Sequence, residues 1–333
     1  MTPTPARLSG AVLPPLDQSV APWSGRRVSV GGAEVYVRRT PSSDPAGEPA
    51  LYVHGLGGAS TNWTDLAGQL APWLAAEAID LPGFGRSGPS PDGDYSLRAQ
   101  AGVVISYLEA ARDATGRGPV HLFGNSMGGA IAIFVASSRP DLVRTLTLIS
   151  PAVPSLRPQH NGGDPRMLLL AVPGINSLLL RRLATVPADV RVRATLDMIY
   201  ADATGVPPNR LAEAVEELQG RSWMSWGPGA FVGALRSLAA NYLMTGSRSM
   251  WARMAMISAP TLVLWGRQDR LVDVRLAARV AATIPVARLL VLDDVGHVAQ
   301  MEDPVTSARA FLGLLEDSRR SVDHEGMAGD VRA

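Results

Sequence analysis

The spacing of hydrophobic positions changes repeatedly along the chain. Short apolar runs of strand length at 28–30, 34–38, 51–53, 75–79, 120–123 and 145–149 alternate with longer segments whose apolar residues recur every three or four positions. Gly31-Gly32 between the first two runs is a two-residue hairpin signal. Helical spacing covers about 62–70, 96–114 and 127–138. The second of these begins at a capping Ser96 and gathers Leu97, Val104, Tyr107, Leu108 and Ala111 on one face. The alternation stops at Pro151 and returns after Pro260, with strands at 261–265 and 288–292 and helices near 274–282 and 305–315. This rhythm predicts an α/β fold: a mostly parallel, doubly wound sheet of eight strands with helices on both faces.

The interruption at 151–258 has helical spacing, no convincing strand, and an opening marked by Pro151, Pro154 and Pro158. It holds 11 arginines against 7 acids, net +4, which leaves −3 for the rest of the chain. It is expected to be a helical cap, or lid, inserted into a core made of 26–150 and 259–316. The Pro- and Ala-rich residues 1–25 are expected to form a flexible leader, and the polar residues 317–333 a flexible tail. Pro14 and Pro15 break the only apolar stretch of the leader, so no signal-peptide core is expected there. The most apolar windows, 128–136 and 167–172, fall far short of a bilayer span. A soluble, cytoplasmic protein of open oligomeric state is the expectation.

Composition narrows the chemistry. The 333 residues are 46% hydrophobic and 18% charged, with no cysteine, and all 31 basic side chains are arginines. A thiolate nucleophile, a Cys-ligated metal, a disulfide, a Schiff-base lysine and a GxxxxGK phosphate loop are thereby excluded. A formal net charge of +1 and the lack of a basic run give no pull toward nucleic acid. Oxygen and imidazole chemistry remain, and neither a metal nor an organic cofactor is needed for it.

The strongest motif is Gly124-Asn125-Ser126-Met127-Gly128-Gly129, set between a predicted strand and a predicted helix. In G-x-S-x-G at such a turn, the serine projects its hydroxyl and the glycines permit close backbone approach. A serine needs a base, and the base needs an orienting acid. His297, in the loop after the last strand, is the candidate base; of the five histidines only His324 also lies beyond the cap, and that one falls in the tail. Asp269 is the first carboxylate after the strand ending at Trp265 and is the candidate acid, with Asp273, Asp293 and Asp294 as alternatives. Oxyanion donors are expected from the backbone of Met127 and of Leu56, or else Gly57, in the His54-Gly55-Leu56-Gly57-Gly58 loop. His54 is read as a structural hydrogen bonder in preference to a second base, and the 80–87 loop as a tight turn pinned by Asp80 and Arg86.

These segments, HGLGG, DLPGFGRS, GNSMGG, GRQD and the final GH, occur in an order that resembles the lid-bearing serine hydrolases of the α/β-hydrolase superfamily over residues 26–315. The resemblance implies hydrolysis of a small to medium apolar carboxylic ester by Ser126, His297 and Asp269, with Gly57, Asn125, Trp223, Trp226 and Val298 against the substrate. Dehalogenases and epoxide hydrolases of the same superfamily carry aspartate at the elbow, where this chain has Ser126. GNSMGG is also similar to the elbow of hydrolases that cleave carbon–carbon bonds in anionic ring-fission products, although HGLGG and Val298 depart from that branch. Cap arginines Arg181, Arg182, Arg191 and Arg193 could pair with such an anion or simply be solvated. Trp223, Trp226, Tyr242 and Trp251 with Met224, Met244 and Met250 would be either a pocket roof or ordinary core. A slow-turnover ligand receptor, an acyltransferase and a cofactor-free perhydrolase are further alternatives on this scaffold.

Overall fold

Eight strands form a single sheet: β1 (Gly25–Val30), β2 (Ala33–Arg39), β3 (Glu48–Val53), β4 (Leu74–Asp80), β5 (Val120–Asn125), β6 (Val143–Ile149), β7 (Thr261–Gly266) and β8 (Ala287–Leu292). The computed structural model describes residues 3–42, 46–155, 172, 182–183, 185–222 and 224–330. Strand order is β1-β2-β4-β3-β5-β6-β7-β8. The β1–β2 hairpin and the β2–β4 pair are antiparallel, and every pairing from β4 through β8 is parallel. The carboxyl ends of β3, β5, β7 and β8 therefore open onto one edge, where ligand sites of such sheets lie.

The helices among the described residues are α1 (Thr64–Leu70), α2 (Leu97–Thr115), α3 (Met127–Ser138), α4 (Ala188–Ile199), α5 (Pro208–Ser222), α6 (Gly227–Asn241), α7 (Met250–Met254), α8 (Arg275–Thr283), α9 (Ala299–Glu302) and α10 (Pro304–Asp330). Central strands are predominantly apolar because both faces are covered. On one face, Val104 and Leu108 of α2, Ile131 and Val135 of α3 and Val280 of α8 join Val53, Leu122, Leu148 and Val263 in the larger core. On the other, Leu66 and Leu70 of α1 and Phe311 and Leu314 of α10 meet Tyr52, Phe123 and Leu264. The hydroxyl of Ser96 accepts from the Ala99 N–H at 3.2 Å, as expected of an N-cap.

Between β6 and β7 the described residues hold α4 to α7 and no strand. Helices α4 and α5 meet in a small cluster, Val192, Leu196 and Tyr200 with Leu211, Val215 and Leu218, which Val298 and Met301 also join. The other face of α5 is charged and turned toward the sheet. Its Arg210 pairs with Asp65 at 2.5 Å, and its Glu217 lies 3.6 Å from the buried Arg38 of β2.

Residues 3–24 are not the loose leader expected from their prolines. Pro5 bridges Leu289 in parallel, Ala6 donates to the Leu289 carbonyl at 2.8 Å, and Leu289 donates to Thr4 at 2.9 Å, so the leader covers the edge strand β8. Farther along, Asn209 of α5 donates to the Gln18 carbonyl at 2.5 Å and Arg210 to that of Val20 at 2.9 Å. Proline fixes φ in the extended range, which suits a strand edge with unpaired backbone groups better than it suits a helix. The tail differs from expectation too: α10 continues to Asp330, since after Pro304 the sequence has no proline to stop it. No helix of the described residues is long and apolar enough to cross a membrane.

Candidate functional site

Strand β5 ends at Asn125 and α3 begins at Met127, so Ser126 alone makes the turn between them. It does so with φ +54° and ψ −117°, a conformation a non-glycine residue adopts only under constraint. Its N–H donates to Ile149 at 3.0 Å and its carbonyl accepts from Ala130 at 3.0 Å and Ala152 at 2.9 Å, which holds the strain in place. The flanking glycines are obligatory: a Cβ on Gly124 would sit 2.4 Å from the Gly128 carbonyl oxygen, and one on Gly128 2.1 Å from that of Val53. Met127 is the first helical residue, so its N–H has no acceptor within the helix.

His297 and Asp269 come from the loops after β8 and β7. The histidine Nδ1 donates to Asp269 Oδ2 at 2.9 Å, with both side chains buried. The other carboxylate oxygen accepts from Leu271 and Val272 N–H at 2.8 and 2.9 Å, so the acid is fixed on both sides. His297 Nε2 is buried and has no partner. Of the remaining acid candidates, Asp273 accepts from the Arg275 N–H at 2.9 Å at the start of α8, Asp293 pairs with Arg267 at 2.5 Å, and Asp294 is exposed. Among the described residues no three His, Asp or Glu side chains cluster as a metal site would require.

Two residues expected against substrate are occupied otherwise. Asn125 Nδ2 donates to the carbonyls of Ile149 at 3.1 Å and His297 at 3.0 Å, tying the elbow to the histidine's loop. Val298 is buried among Val192, Leu196 and Tyr200 of the inserted helices. A small apolar side chain after the histidine packs inward, a placement that spacing alone does not reveal. Trp223 and Arg181 lie outside the described residues. Trp226 is half-buried with its indole N–H unpartnered. Tyr242 and Met244 are exposed, Met250 is in the main core, and Trp251 carries the Arg279 guanidinium 3.8 Å from its ring center, so these four are not a roof.

The glycine loop after β3 is held from three directions. His54 Nε2 accepts from the Leu81 N–H at 3.0 Å and its Nδ1 donates to Gly55 at 2.7 Å; burial holds the ring below the usual imidazole range, and both nitrogens are spent on backbone. Asp80 accepts from Ser60 N–H at 2.6 Å and Arg86 N–H at 2.8 Å, pinning the neighboring turn. Gly57 has φ +72°, and Arg221 of α5 donates to its carbonyl while Phe231 of α6 lies against its Cα. Arg221 is half-buried with a buried, unpartnered Nε; burial pulls its guanidinium down, opposed by Glu217 and Asp80. Burial likewise pushes the Glu217 carboxyl up. Of the cap arginines considered from sequence, Arg182 and Arg193 are exposed and Arg191 partly so, whereas Arg210 and Arg221, set eleven residues apart on one face of α5, turn inward.

Residues 49–304 match the family model of the α/β hydrolase fold. Lipase 1 of Psychrobacter immobilis is 28% identical over 279 residues, covering 82% of this chain and 80% of that protein. A 2-hydroxy-6-oxononadienedioate/2-hydroxy-6-oxononatrienedioate hydrolase of Cupriavidus pinatubonensis is 28% identical over 280 residues, covering 81% and 86%. A bacterial membrane phospholipase A superposes with a TM-score of 0.70 at 25% identity, covering 90% of this chain and 87% of that one. A meta-cleavage product hydrolase from Pseudomonas fluorescens shares the fold at a TM-score of 0.68 and 21% identity, covering 88% and 98%. With the family model spanning most of the chain, the protein belongs to the α/β hydrolases and is a hydrolytic enzyme.

Proposed function

We propose that the protein is a serine hydrolase cleaving a small to medium apolar carboxylic ester through an acyl-enzyme. The observation that carries this is the orientation of His297: Nδ1 is committed to Asp269 and Nε2 is left buried and unpartnered, on the sheet edge where Ser126 stands. With Nδ1 protonated, Nε2 is the basic nitrogen and can take the Ser126 proton as Oγ attacks the ester carbonyl. Asp269 then neutralises the imidazolium. The Met127 and Leu56 N–H groups receive the oxyanion, His297 returns the proton to the leaving alcohol, and water repeats the sequence on the acyl group. Gly57, Trp226 and Phe231 border the substrate in this scheme, under a cap formed by the inserted helices. The relative named a lipase supports the ester chemistry.

A second reading has a specific observation behind it. Arg221 is a half-buried cation beside the glycine loop with a buried, unpartnered Nε, and one relative is named for hydrolysis of a dienedioate, a dianion. An anionic substrate cleaved at a carbon–carbon bond would use that charge. Partitioning decides between the readings. Two aryl esters sharing one acyl group should give the same ratio of methanolysis to hydrolysis, as a common acyl-enzyme requires; different ratios, or turnover of dienoate acids alone, would reject the ester scheme.

A further inference from the structure

The end of α4 is built into the mounting of His297. Its last carbonyl, on Ile199, accepts the His297 N–H at 2.6 Å. Gly296 abuts the same segment so closely that a Cβ there would lie 2.6 Å from both the Ile199 oxygen and the Ala201 nitrogen. Arg270, the neighbor of Asp269, donates to the carbonyls of Asp197 at 2.5 Å and of Tyr200 and Ala201 at 3.3 Å each, which satisfies the exposed end of the helix with a positive charge. Residues 199–201 of the inserted segment thus form a wedge between the loop of the acid and the loop of the base.

Glu302, the last residue of α9, joins the wedge to the base. One carboxylate oxygen accepts from the Ala201 N–H at 2.7 Å; the other accepts from Gly296 N–H at 2.9 Å and Val298 N–H at 3.4 Å, the residues on either side of His297. Burial pushes its carboxyl up, partly offset by these three donors. The titratable groups facing it are Asp269 from the acid's loop, Tyr200 from the end of α4, and His297 between its own donors.

We propose that Glu302 is a positioning residue for the reaction: it clamps the peptide groups around His297 to the end of α4, so that the base is aligned only while the inserted helices are seated. This rests on the assignment of His297 as the base. All the donors it serves are N–H groups, so Glu302→Gln must turn its NH2 toward either Ala201 or the histidine's loop, leaving two donors face to face. Glu302→Asp keeps both acceptors and the charge on a shorter stem.

The test is the rate of Ser126 phosphonylation by a fluorophosphonate, with kcat and KM for an ester and with melting temperature, in the wild type, Glu302→Gln, Glu302→Asp and Arg270→Met. Glu302→Gln should label and turn over about tenfold to a hundredfold more slowly at nearly unchanged KM, as a misplaced base does. Glu302→Asp, which keeps both acceptor oxygens, should recover most of the lost rate, and Arg270→Met should lower kcat at nearly unchanged KM. A merely structural role would lower melting temperature and active fraction but leave kcat per labeled site unchanged. Normal labeling and unchanged kcat in a folded Glu302→Gln would overturn the inference alone. No labeling of the wild type would overturn the assignment beneath it.

Discussion

Replacing Asp269 by asparagine changes one atom in a fully buried site, and the surrounding hydrogen bonds dictate how the amide must sit. Leu271 and Val272 donate to one oxygen at 2.8 and 2.9 Å, so the asparagine oxygen has to stay there. Its NH2 then occupies the position 2.9 Å from His297 Nδ1 and can only donate to it. The ring proton moves to Nε2, which can no longer accept from Ser126. The reverse amide orientation would leave two N–H donors against an NH2, at about 1–3 kcal/mol each. Loss of the charge-assisted bond to the imidazolium adds roughly 2 kcal/mol in the transition state. Together these amount to about 4–8 kcal/mol, or a factor of at least about 10³ in kcat. The assay is kcat/KM on a short-chain ester beside phosphonylation of Ser126, with a melting curve to confirm folding. Activity within tenfold of wild type would refute the role given to Asp269.

Three further outcomes follow from the same geometry. Gly57→Ala places a side chain at φ +72° and 3.4 Å from the Phe231 ring, which should cost about 1 kcal/mol of stability and, by turning the Leu56–Gly57 peptide, about a hundredfold in kcat; unchanged kcat would remove this loop from the oxyanion site. Asn125→Ala leaves the His297 carbonyl without a donor and removes one of the two donors to Ile149, so stability should drop by about 1–3 kcal/mol and kcat should fall at constant KM, whereas an effect on KM alone would return Asn125 to the substrate. His121, buried between Thr145 and Glu48, is held below its usual range by burial, so the unfolded chain takes up the proton first as pH falls. Stability should decline from about pH 6.5 downward, and the urea midpoint of His121→Gln should decline less; parallel declines would contradict a neutral buried imidazole.

The sheet was legible because its signals are local. Strand runs at 120–123 and 261–265 are apolar except for His121 and Thr261 because the strands are covered on both faces, and Ser96 announces α2 by a hydrogen bond within its own turn. The glycines around Ser126 were equally readable, since each answers a contact within the elbow or with the next strand. What sequence missed depends on elements distant along the chain. The leader reads as loose by composition, and only the open edge of β8, far along the sequence, gives it a place. Asn125 looked like a substrate contact because its neighbor is the serine, yet its partners are carbonyls at 149 and 297. Arg221 and Glu302 carried some signal: charged positions 210, 213, 217 and 221 recur at helical spacing on one face of α5, and Glu302 follows His297 by five residues in a short helix. Neither spacing says that the charged face turns inward or that one carboxylate serves three backbone donors.

The most direct measurement on the central claim is peptide mass mapping after fluorophosphonate treatment of the native chain, Ser126→Ala and His297→Ala. One adduct should form rapidly, on the peptide carrying Ser126, be absent from Ser126→Ala and be slowed by several orders of magnitude in His297→Ala. An adduct on another residue, equal labeling of His297→Ala, or no adduct on a folded native chain would contradict that claim.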